Sequence, residues 1–313
     1  MRNPYIRIIS SLIRPLLGFS FAACLIFAPA SCKPTPAEPE PPVSKYYSIT
    51  TVTVNIFDNS PAGGAVILNG ERKDSGGTFE VENGNIDSLS VDVPAFNPNY
   101  ILCQSEAGET ILTKDGRGLS SFTANADITL HIKLIPSDFN TTLLARCIGG
   151  DQWDNNTNIY GDGTVQRYPG NVVGVGITEG PNGEKPTNES TQNLKNAVSL
   201  VNNAAHGQVI LEYSNSEYDN QSGLWYIVDN RLSPLFIVRV SGDSTISISG
   251  FYMKKDAAYK AVLEGVVRTL GIRRNGGGDD YPYISENLTS PTFINDGERA
   301  LRLIYLLPPG FRL

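Results

Sequence analysis

Glu264 and Arg268 are the residues from which chemistry could start. They stand one helical turn apart in Glu264-Gly265-Val266-Val267-Arg268-Thr269-Leu270-Gly271-Ile272-Arg273-Arg274. On a helix that spacing lets a carboxylate and a guanidinium pair. A carboxylate can serve as a general base or metal ligand, whereas an arginine stays protonated and can do neither. The chain has 2 histidines, His131 and His206, and neither has a partner at metal-ligand spacing.

The element that must hold these groups is a helix. Val262, Leu263, Val266, Val267 and Leu270 recur at helical period and form an apolar stripe. Gly271 follows the last of them, where a left-handed stop favours glycine. One reading is a surface helix with a solvated Glu264–Arg268 pair. The other is a resemblance. The stretch resembles the active-site helix of the metzincins, zinc peptidases with the motif H-E-x-x-H-x-x-G-x-x-H. With Thr269-Leu270-Gly271 laid on the family's T-L-G, Glu264 falls on the first histidine and Gly265 on the catalytic glutamate. Arg268 and Arg274 fall on the second and third histidines. A zinc site of this kind needs three imidazoles, an open position for water and a carboxylate base. The resemblance therefore implies the fold of a peptidase without its chemistry, a pseudo-active site at Glu264, Gly265, Arg268, Gly271 and Arg274. It further suggests that Glu264 bridges Arg268 and Arg274 in place of the metal.

The segments before that helix set its context. Arg2, Arg7 and Arg14 precede an apolar run from Pro15 to Pro29 that is too short to span a membrane. The run ends in Ala30-Ser31-Cys32, which resembles a bacterial lipobox and implies acylation at Cys32. Cys24, after Phe21-Ala22-Ala23, is a second candidate, and an ordinary signal peptide cut near Ala30 or Ser31 is the other reading. Residues 33–44 are proline-rich and favour an extended tether, about 3 Å per residue. Residues 1–32 are thus read as signal peptide and 33–44 as tether.

From 45 to 137 the signals are all β. Thr50, Val52, Val54 and Ile56 alternate with Ile49, Thr51, Thr53 and Asn55, so the face carrying Val52, Val54 and Ile56 is expected to be apolar. Pro61-Ala62-Gly63-Gly64 gives a turn, and Asn69-Gly70 after Ala65–Leu68 signals a hairpin. Leu89, Val91 and Val93 share one face. Ile128, Leu130, Ile132 and Leu134 share another, with Thr129, His131 and Lys133 opposite. Short strands at this spacing suggest a sandwich, resembling immunoglobulin-like or transthyretin-like bacterial modules.

From 138 to 313 helices enter. Val172–Ile177 reads as a strand, Ser190 as the cap of a helix with the stripe Leu194, Ala197, Val198 and Val201, and Val209–Leu211, Leu235–Val240 and Ile246–Ile248 as further strands. The motif helix begins near Asp256. Strand, long helix, several strands and motif helix is also the order in the metzincin amino-terminal subdomain. Tyr281 to Leu288 sits where that family has its methionine turn, with Ile284 near the expected methionine, and Thr292–Leu307 reads as a closing helix. The fold class expected is α+β: an all-β Ig-like sandwich followed by a zincin-like α/β domain.

Other groups leave alternatives open. Cys103 and Cys147 can bridge the two halves or stay as buried thiols. Asp151, Asp154, Asn156, Asn158 and Asp162 can bind calcium or form a polar turn, and their spacing misses the EF-hand rule. Asn275–Asp280 reads as a charged connection. His206 precedes Gly207 at a helix end and reads as a cap.

Of the 313 residues 18% are charged, and the net charge is −7. With a pI near 5.0 this argues against nucleic acid as a partner. The expectation is a non-catalytic envelope lipoprotein with no cofactor, lipid-anchored at the bacterial outer membrane or cell surface. Its metzincin-like cleft would bind a peptide, glycan or protein. A hydrolase with atypical metal ligands and a purely structural lipoprotein are the alternatives.

Overall fold

β-branched residues dominate the first half and favour a pleated, half-buried backbone. The computed structural model describes residues 45–149, 153–154, 159–160, 163–167, 170–178, 185–214, 224–229, 238–241, 245–249, 258–272, 282–287 and 290–313. In chain order the first strands are β1 (Tyr46–Asn55), β2 (Ala65–Leu68), β3 (Glu71–Asp74), β4 (Thr78–Glu82), β5 (Asn85–Ile86) and β6 (Leu89–Asp92). They continue as β7 (Phe96–Gln104), β8 (Thr110–Asp115), β9 (Gly118–Leu119), β10 (Phe122–Thr123) and β11 (Ile128–Pro136). A six-stranded sheet runs β4-β1-β11-β7-β8-β9, and a three-stranded sheet runs β3-β2-β6. β1 and β11 lie parallel, with Ile49 beside Ile128 and Thr53 beside Ile132. The signal peptide, Cys32 and the tether lie outside the described residues.

The Asn69-Gly70 hairpin forms as expected. Both residues are left-handed, at φ 49° and 86°, the conformation a two-residue hairpin demands. Asn69 also fastens the turn to the neighbouring strand, because its Oδ1 accepts from the N–H groups of Asp87 and Ser88 at 2.8 and 3.1 Å. The expected apolar face of β1, buried toward the strand's end, is not the only buried one. Ile49, Thr51 and Thr53 are fully buried, and Thr53 returns its hydroxyl hydrogen to the Gly63 carbonyl at 2.6 Å. A threonine whose hydroxyl is satisfied by backbone can occupy a core position. Val54 and Ile56 are buried as well, but Ile56 joins a second core on the other side of the sheet. On β11, Leu130, Ile132 and Leu134 face the core of the β half, while Thr129, His131 and Lys133 are half-buried opposite.

The second half adds α1 (Thr141–Cys147), capped by the Asn140 side chain, and the small pair β12 (Trp153–Asp154) and β13 (Ile159–Tyr160). Next come β14 (Val172–Thr178), α2 (Asn188–Ala205) and β15 (Ile210–Tyr213). β14 and β15 are parallel neighbours, which requires a crossover, and α2 supplies it. Thr187 caps α2, not Ser190. Ser190 is the third helical residue and completes a reciprocal capping box with Thr187. The stripe Leu194, Ala197, Val198 and Val201 is buried, and Asn202 binds both the N–H and the carbonyl of Leu211, locking α2 to β15. His206 ends the helix in a left-handed conformation, as its reading as a cap anticipates.

The strands β16 (Leu224–Asp229), β17 (Val238–Ser241) and β18 (Thr245–Ser249) complete a five-stranded sheet in the order β15-β14-β16-β18-β17. All pairs are parallel except β17 with β18. The helices α3 (Ala258–Leu270) and α4 (Gly297–Leu306) follow. The fold class is α+β. Residues 44–313 form one compact unit containing two cores, one between the β-sheets of the first half and one around α2, α3 and α4. Cys103 lies in the first core and Cys147 in the second, both as free thiols. Burial pushes each thiol up to about 12.

Candidate functional site

The helix α3 is buried on more than its apolar stripe. Every residue from 261 to 267 is buried, Glu264 among them at 3% exposure. A carboxylate removed from water needs a counter-charge. Lys260, one turn earlier, supplies it with Nζ 3.5 Å from Glu264 Oε1, the two side chains being 16% and 4% exposed. This rules out the surface helix with a solvated pair. Arg268 is half-buried one turn later, and Arg273 and Arg274 lie outside the described residues. Thr269 donates its hydroxyl back to the Gly265 carbonyl at 2.8 Å, and Gly265 itself has no side chain to act as a base.

The end of α3 is fixed twice over by Gly271. The Gly271 N–H bonds to the Arg268 carbonyl and the Ile272 N–H to the Val267 carbonyl, each at 3.1 Å. These are the paired bonds of a Schellman stop. Gly271 has φ 119°, and a Cβ there would lie 2.3 Å from the Gln166 carbonyl oxygen. The backbone at 166–167 therefore rests directly on the helix end. That segment is itself clamped by residues 310–313. Val165 donates to Phe311 O at 2.7 Å, Gly310 to Val165 O at 2.9 Å and Leu313 to Gly163 O at 2.9 Å. Arg167 donates to the Tyr305 carbonyl and lies 5.0 Å from the centre of the Tyr305 ring. Burial lowers the Arg167 pKa from its ordinary value, yet a guanidinium stays charged.

Residues 282–287 and 290–296 pack into the same core as α3. Ile284 is 2% exposed and bridges Phe293, and Ile294 donates to the Tyr283 carbonyl at 3.0 Å. Ile284 shares the second core with the α3 stripe. Tyr283 is also buried, which pushes its phenol above the ordinary range. Its hydroxyl has no hydrogen-bond partner among the described residues.

The donors at the motif positions do not fit zinc. Glu264 is engaged by an ammonium, Gly265 has no side chain, and the Arg268 guanidinium cannot ligate. Among the described residues no three His, Cys, Asp or Glu side chains converge on one point. In the acidic stretch only Asp154 is described, as backbone of β12, so the calcium reading lies outside the described residues, as does Asn275–Asp280. No described helix is long and apolar enough to cross a membrane.

No protein-family model, curated protein or solved structure matches this chain. Two participants escaped the sequence reading. Lys260 was legible in principle as an i, i+4 partner of Glu264. Arg167 was not, since 138 residues separate it from Tyr305.

Proposed function

We propose that this protein is a lipid-anchored bacterial envelope protein of the outer membrane or cell surface, in which an Ig-like module carries a non-catalytic, metzincin-like domain. The cleft of that domain would bind a peptide, glycan or protein partner. The order β14, α2, β15 to β18, α3 supports the metzincin reading, as does a glycine stop at the motif's own glycine. The two-sheet sandwich supports the Ig-like one.

The observation that carries the loss of catalysis is Glu264. At the position that the resemblance equates with the first ligand stands a buried carboxylate, paired with the Lys260 ammonium of its own helix. Zinc analysis of the dialysed full chain, with a broad peptide-cleavage assay, tests this. The expected result is zinc far below one atom per chain and no cleavage. Zinc retained near stoichiometry would overturn the reading. The anchor is tested separately, because Cys32→Ser should abolish acyl labelling and detergent partitioning.

A further inference from the structure

The outer face of the six-stranded sheet is divided. At one end the second core covers it, burying Ile56 and Leu102. At the other end it is open, and a cleft of about 420 Å³ lies there, lined by Ser48, Thr50, Glu106, Asp127 and Thr129 among others. Three of its polar residues, Ser48, Thr50 and Asp127, are held in place before any ligand arrives. Asp127 Oδ1 accepts from the Ser48 N–H at 2.9 Å, Ser48 Oγ donates to Glu80 at 2.8 Å, and the hydroxyls of Thr50 and Thr78 share a hydrogen at 2.9 Å. No lysine or arginine lines the cleft, so nothing there attracts an anion.

Strand alternation puts Tyr46 on the same face as Ser48 and Thr50, roughly 7 Å along β1 from Ser48. Tyr46 is 57% exposed, while Tyr47 packs against the core of the β half. An exposed ring beside fixed hydroxyls and carboxylates matches the two surfaces of a sugar. The C–H face of a pyranose lies on the aromatic ring, and its hydroxyls meet acceptors and donors at the rim. The volume falls in the range of small-ligand sites. We propose that this cleft binds a neutral saccharide, with Tyr46 as the stacking surface and Thr50, Asp127 and Thr129 as its hydrogen-bond partners. The site lies on the β half and does not depend on the metzincin reading.

The test titrates the full chain, in a detergent without a sugar headgroup, with cellobiose, N,N′-diacetylchitobiose and maltose by calorimetry. Saturable binding of at least one sugar is expected. Tyr46→Ala and Asp127→Asn should each weaken it about tenfold, with Tyr46→Phe within about twofold of the parent. Melting temperatures of all three variants should match the parent. No saturable heat with any of the sugars overturns the proposal. So does binding that Tyr46→Ala and Asp127→Asn leave intact, or tighter binding of tetralysine than of every sugar.

Discussion

Arg299 and Asp138 form a two-pronged ion pair across 161 residues of sequence, Nη2 to Oδ1 at 2.8 Å and Nη1 to Oδ2 at 3.2 Å. The same guanidinium lies 5.1 Å from the ring centre of Phe57 and 5.3 Å from that of Phe139. One turn on, Arg302 donates to the Phe57 carbonyl at 2.5 Å. The helix α4 thus grips both the end of β1 and the junction after β11.

Arg299→Ala should cost more than Asp138→Ala. The carboxylate is 74% exposed, so the ion pair alone is worth about 0.2–1 kcal/mol. Each ring contact adds about 0.5–1 kcal/mol. Urea unfolding should show a loss of about 1–3 kcal/mol for Arg299→Ala and under about 1 kcal/mol for Asp138→Ala. Equal losses would mean that the stacking contributes nothing.

The pair also sets a pH dependence. Hydrogen bonds from Arg299 hold the Asp138 carboxyl below its ordinary value. A carboxyl depressed in the folded state stabilises fully above its unfolded pKa of about 3.9, and loses that contribution as pH falls through the folded value. Asp138→Asn should therefore be less stable than the parent at neutral pH and converge with it in acid. A gap that persists unchanged at the acid limit would assign the effect to something other than charge.

Gly271→Ala should destabilise by more than about 2 kcal/mol, since it adds a clash with the Gln166 carbonyl to a left-handed penalty of about 1–2 kcal/mol. Gly207→Ala is the control. Gly207 is also left-handed, at φ 81°, but nothing lies within 4 Å of a Cβ there. The difference between the two variants measures how closely residues 166–167 rest on α3, and a difference near zero would mean that the contact yields freely.

The Lys260–Glu264 pair should behave as a buried one. Removing a single partner of such a pair costs about 3–5 kcal/mol, whereas replacing both with apolar groups is often neutral or better. Lys260→Met alone should destabilise markedly, and Lys260→Met with Glu264→Leu should recover much of the loss in a double-mutant cycle. Simple additivity would show that the two residues act independently. Replacing Arg274 in the same background tests whether Glu264 also bridges that arginine.

Local signals were legible wherever a short stretch decides its own conformation. Asn69-Gly70, the α2 stripe and Gly271 all formed where their residue types predict. The strand β16 did not announce itself. It is the central strand of a largely parallel sheet, and such strands read as unbroken apolar runs, here Leu224-Trp225-Tyr226-Ile227-Val228, without the alternation that marks a half-exposed strand. The burial of the other face of β1 was not legible, because Thr51 and Thr53 look polar in isolation. At the candidate site, the glycine stop was visible, and the burial of Glu264 was not. Burial on that face is conferred by elements far away in sequence, as is every contact of Arg167 and Arg299.

The strap at residues 310–313 has a consequence for how the chain is made. Gly116 donates to the Arg312 carbonyl at 2.8 Å, and the Arg312 N–H returns a bond to Asp115, a residue translated 197 positions earlier. The core of the β half draws on residues 49–134 and can close while the rest is still being synthesised. The segment 163–167 cannot be fastened so early, because its partners Gly310, Phe311 and Leu313 are made long after it. The seat of the α3 terminus is therefore completed in a late step, with both halves present. A chain halted before residue 310 would emerge with a finished β half beside an unlatched helix.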